Sequence, residues 1–254
     1  MRSRKADRLK VVVYETRVAM GRAAAEAVAE RVNALLSQQE TVNMVFAAAP
    51  SQNEFLAELA EQQIDWRRVN AFHMDEYVGL GRDAAQGFGN FLNERLFSRV
   101  PLRAVHYLDG KAKDVAAECA RYAGLLEDCP TDIVALGIGE NTHLAFNDPH
   151  VANFDDPLSV KVVDLDADCR RQQVNDGCFA TIEEVPTHAL TLTVPALFRA
   201  HFVFGIVPGA RKADAVRHTL YDEIDARHPS TILRRHPNAV LFLDGESSAK
   251  MEKG

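Results

Sequence analysis

Short β-branched runs alternate with longer segments in which apolar positions recur three and four residues apart, and this rhythm holds along the chain. Lys10–Tyr14 (KVVVY) reads as a first strand, and Ala19–Leu36 follows with apolar and alanine positions at helical spacing. Val42–Ala47 predicts a second strand, Ser51–Gln62 a second helix and Val69–Met74 a third strand, with a helix over Gly89–Phe97 beyond a loop. The second half predicts a helix over Val115–Leu126, a buried strand over Asp132–Leu136, and extended segments over Val160–Leu165 and Ala189–Val194. His201–Val207 reads as a strand feeding a helix over Ala210–Leu220, and Ala239–Leu243 as the last strand. Short strands separated by helices predict βαβ units. The expected fold is therefore α/β, a three-layer Rossmann-like arrangement with a mainly parallel sheet and helices on both faces.

No repeat or linker interrupts the pattern, so the 254 residues predict a single domain over 1–254 that begins with a basic arm at residues 1–9. That arm (Arg2, Arg4, Lys5 and Arg8, with Lys10 just after) is the only basic cluster and reads as a solvated tail. The formal net charge of −7 argues against nucleic acid as a partner, because a phosphate backbone needs clustered cations. The four cysteines form no C-x-x-C pair, so free thiols in a reducing compartment are expected. No stretch resembles a signal peptide, and none approaches the about 18 apolar residues of a membrane span. The expectation is a cytoplasmic protein with no membrane partner, either monomeric or a homo-oligomer.

In an open α/β sheet ligands bind beyond the carboxyl ends of the strands. After the second strand, Ser51 and Glu54 have the spacing of a capping box; the same residues could instead offer the Ser51 hydroxyl and free N–H groups to a phosphate. After the third strand, Asp75 and Glu76 are either solvated loop charges or, in a partly dry cleft, include a general base for a C–H proton beside a carbonyl. Gly137–Pro149 begins as a glycine turn and carries His143 and Asp148. It imitates a dinucleotide fingerprint, but Thr142 replaces the last glycine and no long helix follows before Pro149, so no cofactor is expected. A metal held by His143, Asp148 and Asp75 lacks recognisable ligand spacing, so no metal is expected and acid–base work is the better reading. Arg211 and Lys212 enter a helix after Pro208-Gly209, where cations oppose the helix dipole unless they share an anion with it; the alternative is two exposed basic side chains.

Taken in order, these stretches resemble the glucosamine-6-phosphate deaminase family, which shares its fold with 6-phosphogluconolactonases. Met74-Asp75-Glu76-Tyr77-Val78-Gly79-Leu80 is similar to the family's M-D-E-Y-x-G-L, and Gly137–Pro149 to its G-x-G-x-D-G-H-I-A-F-N-E-P. Arg211-Lys212-Ala213 resembles its K-A signature, and Ser230–His236 (STILRRH) its S-x-L-x-x-H segment. The resemblance implies a metal- and cofactor-independent isomerase/deaminase that turns glucosamine 6-phosphate, or a close sugar phosphate, into the ketose phosphate and ammonia. It assigns Asp75 as the base between C2 and C1, His143 as the ring-opening group, and Asp148 and Asn141 as that histidine's partners. Lys212 and the loop residues Ala49, Ser51 and Gln52 would hold the phosphate. Gly139 and Thr142 would lie against the substrate, Glu76 would fix the loop, and Arg171 falls where relatives carry binding arginines.

Three departures stand out. Asn141 replaces an acidic residue, Thr142 replaces a glycine, and Ala48–Gln52 replaces T-G-S-T-P with no glycine and with Pro50 removing one N–H. Two further readings stay open: a lactonase-type hydrolase on the same fold, and a sugar-phosphate-binding paralogue with weak catalysis.

Overall fold

The computed structural model describes residues 1–251; the last three residues of the expected 1–254 domain lie outside the described residues. β1 (Arg2–Ala6) and β2 (Leu9–Val13) open the chain, followed by α1 (Arg17–Leu36), β3 (Val42–Phe46), α2 (Asn53–Ala60), β4 (Val69–His73) and β5 (Asp75–Tyr77). Then come α3 (Phe88–Leu92), β6 (Ala104–His106), α4 (Val115–Asp128), β7 (Ile133–Leu136), β8 (Val160–Asp164) and α5 (Ala167–Asn175). β9 (His188–Leu192), α6 (Val194–Phe198), β10 (Phe202–Val207), α7 (Ala213–Tyr221) and β11 (Ala239–Leu243) complete the order.

Eight strands form one sheet in the order β1-β2-β11-β10-β7-β3-β4-β6, parallel except for the β1–β2 pair. β3, β4 and β7 are buried at every position, which explains their nearly unbroken apolar runs: a central parallel strand has no solvent side. Of the polar exceptions, Asn43 and Asn70 lie opposite each other and join at 2.8 Å, and His73 ends β4. Met20, Val28 and Val32 of α1 pack into one apolar cluster, while Tyr122 of α4 and Val216 of α7 pack into the other. The chain winds outward from β3 through β4 to β6, then returns to lay β7 on the other side of β3 and winds out through β10 and β11. That reversal opens a crevice between the carboxyl ends of β3 and β7.

The structure corrects four expectations. Residues 1–9 are not a free tail, because Arg2–Ala6 pairs antiparallel with β2 across a two-residue turn at Asp7-Arg8, where Asp7 takes a φ of 50°. A short, basic edge strand also resists pairing with other chains. β5, β8 and β9 leave the main sheet and form a separate antiparallel sheet in the order β5-β9-β8. Met74 is the seam: its N–H donates to Phe46 of the main sheet at 3.2 Å, and its carbonyl accepts from Leu192 of the small sheet at 2.8 Å. The helices after β3 and β10 start as 3-10 turns, Pro50–Gln52 and Ala210–Lys212, and α3 runs on into a π-helical turn, Asn93–Phe97. α5 was not expected, since its sequence is polar and without apolar period. Among the described residues no helix is long and apolar enough to cross a membrane.

Candidate active site

The loops after β3, β4, β7 and β10 enclose a cavity of about 460 Å³. Ala49, Ser51, Asp75, Gly139, His143 and Lys212 line it. Gln52, Glu76, Asn141, Thr142 and Asp148 stand behind that lining, and Arg171 is exposed on α5.

Asp75 is buried just past the end of β4, and no described residue donates a hydrogen bond to its carboxylate. Burial, and then the charge of Glu76, push its carboxyl well above the ordinary carboxylate range. Glu76 accepts the backbone N–H groups of Tyr77 (3.0 Å), Phe88 (3.1 Å) and Gly89 (2.9 Å), which binds β5 to the start of α3. Burial raises the Glu76 carboxyl too, but those donors oppose the rise, so in this pair of like charges Asp75 is the one held further above its ordinary range.

The backbone of Asp75 is set by His73, which sequence reasoning passed over. Its Nε2 accepts from Leu108 N–H at 2.9 Å, so Nδ1 carries the hydrogen that reaches the Asp75 carbonyl at 2.8 Å. Burial pulls this imidazole from 6.5 down to about 4, against weaker opposing effects of the Asp75 carbonyl and Glu118. Between these values the unfolded chain binds a proton that the folded chain refuses, so stability falls as pH drops from 6.5 to about 4. A pKa gap of about 2.5 corresponds to about 3 kcal/mol. His73→Gln should therefore flatten the acid-side decline in melting temperature; parallel curves for the two proteins from pH 4 to 7 would count against it.

His143 sits on the turn after β7. Its Nδ1 lies 2.8 Å from Asn141 Oδ1 and 2.9 Å from Asp148 Oδ1, and Asn141 Nδ2 donates to the same Asp148 oxygen at 2.9 Å. Both partners of Nδ1 are acceptors, so Nδ1 carries the hydrogen and Nε2 is left to exchange a proton with a ligand. Burial works against ionising Asp148, but the His143 charge and hydrogen bonds from His143, Asn141 and the Cys169 thiol hold its carboxyl at about 2. The Cys169 thiol, itself pushed up by burial and then by Asp148, lies beside the Asp148 carboxylate, whose Oδ2 is buried without a hydrogen-bond partner. His143, Asp148 and Cys169 bring possible ligand atoms within 4.8 Å of one another. With Nδ1 committed to Asp148 and the thiol protonated, the set fits a proton relay better than a metal.

Thr142 holds a φ of 74° and is buried away from the cavity, its N–H on Gly139 O and its carbonyl on Ser230 N–H, both at 3.0 Å. It strains the turn without obstructing a ligand. A β-branched residue in this region carries about 1–3 kcal/mol of strain, so Thr142→Gly should raise stability by about 1 kcal/mol after the entropic cost of glycine. Urea unfolding checks this, and a lower midpoint would refute it.

The opposite end of the cavity is cationic. Ser51 does not cap a helix, because it lies within the 3-10 turn and not ahead of it. Glu54 pairs with Arg17 at 2.7 Å, and Ser51, whose hydroxyl accepts from Gln52 Nε2 at 3.2 Å, lines the cavity. Gln52 is tied back to the Ile206 carbonyl at 3.0 Å and joins the loop to β10. Lys212 faces the cavity with no described carboxylate at ion-pair distance, its pKa lowered by burial despite Asp176 and Glu140 nearby. Arg211 is turned outward onto Asp176 (2.9 Å) and Glu140 (3.6 Å).

Arg95, a cavity residue the sequence reading missed, lies on the π-helical turn with its guanidinium 3.8 Å from the Phe91 ring and its Nε donating to Asn53 at 2.8 Å. It brings a second cation beside the Ser51 loop, and the Phe91/Arg95 spacing on a helix was the available signal. Arg171 does not reach the cavity: the Asp166 cap, which accepts from Cys169 N–H at 2.7 Å, sets the phase of α5 so that Cys169 and Gln173 point inward.

A parallel sheet whose strand ends gather an unpaired buried carboxylate, a histidine–carboxylate relay and two cations in one cavity defines an α/β protein equipped for acid–base chemistry on a small anion. Residues 15–242 match the family model for glucosamine-6-phosphate isomerases/6-phosphogluconolactonase. The chain belongs to that family. It is 34% identical over 216 residues to a glucosamine-6-phosphate deaminase of Bacillus cereus (strain G9842), covering 85% of this chain and 80% of that protein. To one of Listeria innocua serovar 6a it is 30% identical over 241 residues, covering 95% and 99%. A solved monomeric glucosamine-6-phosphate deaminase superposes with a TM-score of 0.86 at 25% identity, covering 94% of this chain and 99% of that one. The 6-phosphogluconolactonase of Thermotoga maritima shares the fold, with a TM-score of 0.75 at 22% identity and coverage of 92% and 98%.

Proposed function

We propose that this protein is an aldose–ketose isomerase/deaminase that converts glucosamine 6-phosphate, or a close hexosamine phosphate, to the ketose phosphate and ammonia. The observation that carries the reading is Asp75: a buried, unpaired carboxylate of raised pKa in the same cavity as a histidine with a free Nε2. Nε2 of His143 takes the proton of the anomeric hydroxyl, and the imidazolium, steadied by Asp148, returns it to the ring oxygen as the ring opens. Asp75 removes the C2 proton as O1 takes up a proton given by the C2 ammonium, which yields the enolamine. Asp75 then returns its proton to C1, and water hydrolyses the resulting C2 imine to ketone and ammonia. Lys212, Arg95 and Ser51 hold the phosphate, and the enzyme works in the cytoplasm.

Ammonia and fructose 6-phosphate release from glucosamine 6-phosphate tests this directly. Solvent deuterium incorporated at C1 separates it from lactone hydrolysis, which breaks no C–H bond; hydrolysis of 6-phosphogluconolactone without such exchange would overturn it. Lys212→Met and Arg95→Ala should each raise KM about tenfold or more, with a smaller effect on kcat, as loss of uniform binding requires. An unchanged KM in both would remove the phosphate from this end of the cavity.

A further inference from the structure

The inward face of α5 is laid along the cavity from one end to the other. Cys169 marks the relay end, where its sulfur, a His143 nitrogen and an Asp148 oxygen lie within 4.8 Å of one another. Asp176, which ends the helix, marks the cationic end: it accepts from Arg211 Nη2 at 2.9 Å and lines the cavity together with Lys212. Gln173 stands between them on the same face, one helical turn beyond Cys169 and just short of one turn before Asp176. At a rise of about 1.5 Å per residue it lies about 6 Å along the axis from Cys169 and about 4.5 Å from Asp176.

Gln173 is only 7% exposed and lines the cavity, yet no described residue hydrogen-bonds its side-chain amide. Buried amides are ordinarily paired within the protein. Gln172, its neighbour in the lining, shows the ordinary case: its Oε1 accepts from Glu140 N–H at 3.1 Å and its Nε2 reaches Asp176 Oδ2 at 3.5 Å. Of the other hydroxyl and amide side chains in the lining, Ser51 belongs to the cationic end and Gln86 is exposed. Among the described residues Gln173 is therefore the buried neutral hydrogen-bonding group left to a ligand. An amide offers an acceptor oxygen and two N–H donors, which suits a hydroxyl that both gives and takes a hydrogen bond.

We propose that Gln173 is a specificity-determining residue that hydrogen-bonds a secondary hydroxyl in the middle of the sugar, at C3 or C4. The inference rests on the deaminase reading, which sets C1 and C2 between Asp75 and His143 and the C6 phosphate at Lys212, Arg95 and Ser51. A ligand held at both ends passes along the inward face of α5, and the stretch opposite Gln173 is C3–C4. A buried amide of this kind rejects a ligand that lacks the hydroxyl, because the amide is then left unpaired in a dry site.

Calorimetric titration with the reduced, open-chain form of glucosamine 6-phosphate tests this, since an alditol has no aldehyde and is bound without being turned over. Its 3-deoxy and 4-deoxy analogues are the comparison ligands. One of the two should bind the parent chain at least about tenfold more weakly than the full alditol. In Gln173→Met, which keeps the length and loses the amide, and in Gln173→Ala, that preference should shrink to within about threefold. Gln172→Ala should weaken all three ligands alike and leave the preference intact. Equal binding of all three by the parent chain, or a preference that persists in the Gln173 variants, would overturn the proposal. Melting temperatures without ligand show that a variant is folded, and either Gln173 variant alone carries the test. Ammonia release from glucosamine 6-phosphate is followed in parallel. A parent chain that binds with the expected preference but releases no ammonia overturns the deaminase step alone, and one that binds none of the three ligands overturns both.

Discussion

Asp75→Asn should lower turnover by about 10²–10⁴-fold, the usual contribution of a positioned general base, and raise the melting temperature in the same experiment. The second effect follows from the burial that makes Asp75 a strong base. A carboxyl whose pKa is raised on folding contributes its full stability below its unfolded value of 3.8 and loses it as pH rises through the folded value. Once the pH has risen past the folded value, the native protein carries an ionised, unpaired carboxylate beside Glu76. Asparagine keeps the shape without that charge. The stability gain should grow with pH, so thermal unfolding of both proteins from pH 5 to 8 is the informative series. A variant less stable than the parent at pH 8 would show that Asp75 is not held at the cost of fold stability, and a variant that still deaminates would remove it from the chemistry.

Gly139→Ala should impair catalysis nearly as much as losing His143. A methyl group at residue 139 would sit 2.2 Å from Cε1 and 2.3 Å from each nitrogen of the His143 ring. The ring is gripped from the other side by Asn141 and Asp148, so it must leave those partners to make room. Displacing a reacting group by about 1 Å costs about 10²-fold, and loss of the relay adds to that. Gly137→Ala is the control, because its methyl would meet Gln52 Nε2 at 3.2 Å and Ser51 Oγ at 3.7 Å. That variant should affect KM more than kcat. Turnover in Gly139→Ala within about threefold of the parent would refute the placement of the ring in the reaction.

The apolar runs of β3, β7, β10 and β11 made the parallel sheet legible, and the residues after those strands pointed to the cavity because backbone topology places loops there whatever their side chains. The resemblance put Thr142 where relatives carry glycine, and its φ of 74° is a backbone that favours glycine. Long-range packing was not legible. Cys169 reaches Asp148 only because α5 lies under the catalytic turn, and nothing in its polar sequence announces a helix or its phase, so Arg171 was put forward where Gln172 and Gln173 stand. Ser51 had a capping partner in Glu54 on spacing alone; Arg17, 37 residues earlier than Glu54, competed for it and won. The three-residue strand β5 was too short to show a period, which hid the second sheet.

Met74, bonded to one sheet through its N–H and to the other through its carbonyl, sets Asp75 at the junction of the two sheets. The turn that carries His143 reaches the same antiparallel sheet, through Phe146 N–H on Thr191 Oγ1 at 3.1 Å and Asn147 Nδ2 on the Leu192 carbonyl at 2.8 Å. Thr191 and Leu192 of β9 thus touch both the Met74–Asp75 stretch and the turn after β7. A substitution in that one strand would reach the Asp75 carboxylate and the His143 turn together, so a lineage on this scaffold cannot retune either wall of the cavity there without moving the other.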